Sequence, residues 1–408
     1  MALDIRQALD KTRQPFRWLV LAALALFLVV GAVAAGVFVA DHPRGIFRFA
    51  SLLTIVGVLG SSALAALGSR VPKRTIIELD LTKPVVEKAS ASPLGRLGGG
   101  PKTSTIREVV EGLERAAKDK RVVGLFARVE APATGALADE LRDAIGAFRA
   151  SGKFAVAYSH SFTMTSGYYV ATAFDEIAVQ GSGDVGVSGW LAQGFFVRGL
   201  LDKIGVRARL GQRYEYKNAV NQLTETAFTP AHREASTRLS EARFGQLVDA
   251  VASGRGMNPD AARKLLLRGP YAAADALAEG LVDRLAYYDE VVDSVKERAG
   301  KGSGLLFLHK YAKRTKRGAN RGQTVAVIHA VGAVMSGKGG GFNPLTQGPA
   351  MGADTISSAL RAAAKDKGVK AIVLRVDSPG GSAVASDTIW REVMNARATG
   401  KPVIASMG

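Results

Sequence analysis

The chain contains no cysteine. That excludes disulfide frameworks, thiolate nucleophiles and cysteine-built metal sites, and leaves the redox compartment open. Histidine is scarce. His42, His160, His232, His309 and His329 show no metal-ligand spacing, so no metal is expected, and nothing else in the sequence calls for a cofactor. Acidic side chains are outnumbered, 36 against 54 Lys and Arg, for a net charge of +18. Nucleic-acid binding would need the basic residues clustered with aromatics on one face. Here they are scattered, and the densest groups flank uncharged spans, which fits anionic lipid headgroups better.

What the chain does have begins with those spans. Residues 18–40 form a 23-residue stretch without a charge, long enough to cross about 30 Å of hydrocarbon. A second uncharged stretch covers residues 49–69 and is richer in Gly, Ser and Ala. Arg6, Lys11, Arg13 and Arg17 would hold the N-terminus in the cytoplasm. One span would place the remainder outside the cell. Two would form a hairpin, with Arg70, Lys73 and Arg74 keeping it inside. Residues 1–74 are therefore expected to be a membrane anchor of one or two helices.

Beyond the anchor lies an internal repeat. "AAKDKRVVGLFARVEAP" from Ala116 returns as "AAKDKGVKAIVLRVDSP" from Ala363, with Lys118, Arg128 and Pro132 matching Lys365, Arg375 and Pro379 at an offset of 247. Upstream, "TIIELDL" corresponds to "TVAVIHA". Both copies alternate amphipathic helices ("IREVVEGLERAAKD", "ISSALRAAAKD") with aliphatic runs suited to parallel strands buried on both faces. The fold class is α/β, with a first repeat over 75–318 and a second over 319–408. The glycine-rich patches at 95–105 and 336–344 occupy equivalent places and read as mobile loops.

Several motifs carry candidate chemistry. "DSPGGS" (377–382) follows a buried strand and opens a helix. Its paired glycines, Gly380 and Gly381, either make a tight turn or aim N–H groups at an oxyanion. The first copy has "EAPATG" there, with Ala133 and Thr134 in place of the glycines. Lys217, within "RYEYKNAV", is either a solvated surface charge or a lysine held neutral as a general base. "GSGDVG" (181–186) has no acidic partner about 20 residues on, and "GRLGGGPKT" is interrupted by Pro101, so neither is read as a nucleotide loop.

Together "AIVLRVDSPGGS", "GKPVIASMG", "SGYYVATAFDEI" and "YEYKNAVNQLTETAFTPAHREA" resemble the long, tandem-repeat form of bacterial signal peptide peptidase, protease IV type, over about residues 75–408. The resemblance implies two Clp/crotonase-type repeats and a Ser/Lys dyad split between them. It casts Lys217 as general base and Gly380 and Gly381 as the oxyanion-side glycines. It puts the nucleophilic serine five residues beyond Gly408, where adding 248 to Thr165 also points. The chain as given should then lack its nucleophile and be inactive. Thr165 holds that slot in the first repeat, and Ser166 beside it is a decoy. The implied partners are signal peptides and other apolar peptides, the lipid bilayer and further copies of the chain, with no nucleic acid. The implied location is a bacterial inner membrane, with the catalytic region on the outer face unless the second span is real. A crotonase-like acyl-CoA enzyme and a non-catalytic membrane scaffold are the alternatives.

Overall fold

The computed structural model describes residues 70–88, 104–133, 135–315, 322–343 and 348–408. Their regular elements all belong to the unit Val71–Gly408. Both uncharged stretches, 18–40 and 49–69, lie outside the described residues. Among the described residues no helix is long and apolar enough to cross a membrane.

The first part runs β1 (Thr75–Leu81), α1 (Ile106–Lys118), β2 (Val122–Val129), α2 (Ala136–Ala150), β3 (Phe154–Ser159), α3 (Thr165–Ala171), β4 (Glu176–Val179) and β5 (Asp184–Val185). A long segment follows with α4 (Arg198–Lys203) and α5 (Asn221–Thr224), then α6 (Pro230–Arg255), α7 (Pro259–Arg268), β6 (Tyr271–Ala272), α8 (Ala273–Ala278), β7 (Arg284–Leu285), α9 (Tyr288–Ala299), β8 (Gly304–Phe307) and α10 (Leu308–Arg314). The second part holds β9 (Thr324–Val331), β10 (Ala333–Met335), β11 (Gly339–Asn343), β12 (Gly348–Gly352), α11 (Ala353–Lys365), β13 (Val369–Asp377), α12 (Ala383–Ala398) and β14 (Val403–Met407).

Six parallel strands form the main sheet in the order β7-β4-β3-β2-β1-β8. Parallel neighbours need crossovers, and the helices between strands supply them on both faces. Because side chains alternate across a strand, each face receives its own apolar set. Ile76, Phe126, Val156 and Tyr158 pack with Val291 and Val295 of α9. Ile77, Leu125, Ala127 and Ala157 pack with Val109, Leu113, Leu141 and Ile145 of α1 and α2. α1 starts where Thr105 and Glu108 cap each other reciprocally, each side chain accepting the other's backbone N–H.

The repeat read in the sequence is physical. β14-β13-β9 is a parallel sheet laid out as β3-β2-β1 is. The register slips at the same place in both. Thr75 pairs with Val122 and Ile76 with Gly124; Thr324 pairs with Val369 and Val325 with Ala371. Lys153 Nζ donates to Ala116 O and Asp119 O at 2.6 and 2.7 Å, closing the end of α1. Lys401 Nζ does the same to Ala363 O and Asp366 O at the end of α11. Gly152 and Gly400, one residue before each lysine, share a φ of 81°.

One expectation fails. The second glycine-rich patch is not an open loop, since Gly339–Asn343 forms β11, antiparallel to β12 in the sheet β10-β12-β11. Glycine permits this contact, because a Cβ on Gly339 would fall 2.2 Å from Gly352 N. Most of the first-copy patch lies outside the described residues.

Candidate active site

β13 ends at Asp377, and the next five residues are stitched to the turn between β9 and β10. Gly332 N–H donates to Asp377 O, and Ser378 Oγ–H donates to Gly332 O at 2.7 Å. Gly380 N–H then donates to Ser378 Oγ at 3.1 Å. Val334 N–H donates to Gly380 O and Ser382 N–H to Val334 O, both at 2.9 Å. Ser382 Oγ finally caps α12 by accepting Ala385 N–H.

Each glycine has a separate local cause. Gly380 has a φ of 104° with open space around it, a conformation that disfavours any side chain. Gly381 is needed for close approach, since a Cβ there would lie 2.2 Å from Val334 O. In the parallel bridge Val334↔Gly381, bonds run to residues 380 and 382, so the Gly381 N–H faces away from β10. The turn is exposed. It therefore presents one outward backbone donor on a rigid support, which is the ingredient an oxyanion site needs.

A charged cluster holds the strands behind this turn. Arg375 of β13 reaches Ser406 Oγ at 2.9 Å and Met407 O at 3.3 Å on β14. The same guanidinium meets Glu87 at 3.1 Å and, in a short contact, Glu140 of α2. His329 Nδ1 lies 3.2 Å from the other oxygen of Glu87. Glu87 is only 5% exposed, so the pairing is a buried one. Burial works to lower the Arg375 pKa, but hydrogen bonding to Glu87 and the charges of Glu87 and Glu140 outweigh it and hold it above its ordinary value. These residues lie 235 and 288 positions apart. The sequence offered a signal only for Arg375, through its match to Arg128.

Lys217 stands elsewhere in the chain, at the entry to a single 3-10 turn (Asn218–Val220). Tyr214 just before it has a φ of 63°, and Tyr216 Oη donates to Glu234 Oε2 at 2.7 Å. The desolvation asked of a lysine base is not met, because Lys217 is exposed. The physical reason is its surroundings. Residues 188–229 carry little regular structure, and Leu191, Phe195, Ile204 and Tyr214 are 83, 72, 63 and 73% exposed.

In the first repeat, Thr165 Oγ1 donates to Gly186 O at 3.3 Å at the start of α3, and Ser166 follows it beside a cavity. Ala133 is buried, and Thr134 lies outside the described residues. Two of the "GSGDVG" glycines serve close packing, since a Cβ on Gly183 would fall 2.0 Å from His160 O and one on Gly186 2.7 Å from Phe162 O, while Gly181 stands in open space. The histidines go to structural contacts. His160 pairs with Glu130, His232 packs on Phe228, and His309 stacks on Phe307. His42 lies outside the described residues.

Residues 147–301 match the sequence model of peptidase family S49. Protease 4 of Salmonella typhi is 31% identical over 365 residues, covering 82% of this chain and 56% of that protein. The chain belongs to the S49 peptidase family, with the SppA-type members. The chloroplastic serine protease SPPA of Arabidopsis thaliana is 30% identical, covering 74% of the chain and 45% of that protein. Protease 4 of Haemophilus influenzae is 28% identical, covering 76% of the chain and 52% of the relative. The chain thus spans about half the length of the curated S49 relatives it matches. The family match includes Lys217 and Thr165, while the 377–382 turn lies beyond it. The mixed α/β architecture with parallel sheets fits a Clp/crotonase-like fold.

Proposed function

We propose that this chain forms part of a membrane-bound serine endopeptidase that degrades cleaved signal peptides and similar apolar peptides through a Ser/Lys dyad. The observation that carries it is the exposed Gly380-Gly381 turn, with its outward Gly381 N–H, in a chain of a peptidase family. The hydroxyl nucleophile would come from a position five residues past Gly408 in a longer polypeptide, directly after β14. β14 runs parallel to β13, and Gly408 N–H donates to Val376 O at 2.7 Å, so the continuing chain would emerge beside the turn.

In the mechanism, Lys217 takes the proton from that hydroxyl, which attacks the scissile carbonyl. The Gly381 N–H stabilises the tetrahedral oxyanion, a contribution of about 3 kcal/mol. A protonated ammonium cannot act as base, so the exposed Lys217 must be covered by bound peptide or by another copy of the chain. The apolar side chains of residues 188–229 suit either cover. The two uncharged stretches would hold the assembly at the bilayer.

The test is hydrolysis of a fluorogenic apolar peptide by a longer polypeptide that carries the residues after Gly408. Activity should vanish with Lys217→Ala and with alanine in the serine slot. Turnover that survives Lys217→Ala removes this lysine from the mechanism.

A further inference from the structure

The first repeat carries a cavity of about 510 Å³ that no step above uses. It opens at the carboxyl ends of β2 and β3, the usual place for ligands in parallel α/β sheets. Met164, Trp190, Leu191 and Leu247 give it apolar walls, and Ser166 and Arg243 are among its polar groups. Trp190 is 49% and Leu191 83% exposed, large apolar surfaces turned toward solvent at the mouth.

Arg243 is the informative residue. It sits on α6 between turns fixed by buried Phe244 and Leu247, so its backbone is held firmly. Its Nη1 donates to Gln246 Oε1 at 3.2 Å, and Nη2 lies 3.5 Å from where a Cβ on Gly135 would stand. Among the described residues it makes no ion pair. The cavity's own carboxylate is otherwise engaged, since Asp139 Oδ1 accepts the Tyr169 hydroxyl at 2.6 Å. Arg142 lies over the same tyrosine ring at 4.4 Å. A half-buried guanidinium without a carboxylate, at the edge of an apolar cavity, calls for an anion attached to an apolar chain. Neither lysine nor histidine is among the lining residues, and the Asp139 carboxylate already accepts the Tyr169 hydroxyl.

We propose that this cavity binds, without cleaving, the end of an apolar chain that carries a free carboxylate, with Arg243 pairing to the carboxylate and Trp190, Leu191 and Leu247 covering the chain. A peptide C-terminus and a fatty acid both offer that chemistry. Lys217, Gly380 and Gly381 are not among its lining residues, and it is read by binding alone, so its failure is distinguishable from failure of the peptidase proposal.

The experiment is fluorescence polarisation on the 408-residue protein, using fluorescein-labelled Gly-Leu-Ala-Leu-Ala-Leu-Ala as free acid and as C-terminal amide. The acid should bind, and the amide should bind at least about tenfold more weakly, as expected for loss of a charge-assisted contact. Arg243→Gln should weaken the acid by a similar factor, Arg243→Lys should recover part of it, and Trp190→Ala should weaken acid and amide alike. Displacement by decanoate at or below the peptide's own concentration assigns the site to fatty acids; failure to displace assigns it to peptide ends. Equal binding of acid and amide overturns the proposal, as does full binding by a folded Arg243→Gln protein. So does the absence of acid binding by about 1 mM, the weakest range of specific affinity.

Discussion

β3 and β14 are the same strand in two copies, and their surroundings differ. In β3, all residues from Ala155 to Ser159 are buried, between β2 and β4 and beneath helices on both faces. In β14, Ile404 is 57% and Met407 75% exposed, and among the described residues the strand pairs with β13 on one side alone. The turns at their neighbouring strands differ in parallel. The first repeat closes with a buried Ala133, the second with an open glycine pair. The same local grammar thus sits in different surroundings among the described residues, because neighbours rather than propensity decide burial.

The largest test of this contrast is the pair Arg375→Met and Arg128→Met. Removing Arg375 leaves the buried Glu87 without its guanidinium partner, and about 3–5 kcal/mol of stability should be lost. Arg128, which lies over the Tyr288 ring at 5.4 Å, should cost no more than about 2 kcal/mol. Equal losses in urea unfolding would mean that the Glu87–Arg375 cluster is not a special seam. Next comes Gly381→Ala, whose Cβ meets the Val334 carbonyl. About 2 kcal/mol should be lost to overpacking, whereas Ala133→Gly should cost about 1 kcal/mol.

Lys153→Met and Lys401→Met should instead behave alike, each losing about 1–2 kcal/mol with its two carbonyl contacts. A large inequality between them would break the structural equivalence of the repeats. The smallest effect concerns pH. Glu78 is pushed up to about 7, mainly by burial and then by Asp80, while the second repeat has Val327 at the corresponding place. A raised carboxyl pKa means that the folded state holds the proton more tightly. Its contribution is therefore complete below about pH 4.5 and is lost as pH rises through 7. With allowance for its partial exposure, Glu78→Gln should flatten the decline and add about 1 kcal/mol at pH 8. Unfolding midpoints across pH 4–8 would show it.

The helices and strands were legible because both faces of a parallel sheet demand aliphatic runs, and α1 and α11 show helical spacing in "IREVVEGL" and "ISSALRAA". The glycine turn was legible because the repeat supplied its own control in "EAPATG". β11 was not, since "GKGGGFN" has a loop's composition, and its strand pairing brings the Gly339 and Gly352 backbones too close for a side chain on Gly339. The Glu87–Arg375–Glu140 cluster was hidden for another reason: no local pattern links charges more than two hundred residues apart. Lys217 was legible as a candidate but not as to burial, and the structure leaves it exposed.

The sequence alone determined the repeat, the α/β class and the positions of the glycine turn and the lysine, because these rest on short-range periodicity and on residue types that few backbones accept. Tertiary structure alone decided that the Gly380-Gly381 turn is exposed while Ala133 of the first repeat is buried. It also decided that Gly381 turns its N–H outward while Gly380 gives its own to Ser378, and that Arg243 faces a cavity without an ion-pair partner. Those outcomes depend on which surfaces meet through space, and a chain order that leaves hundreds of residues between the partners does not encode them locally.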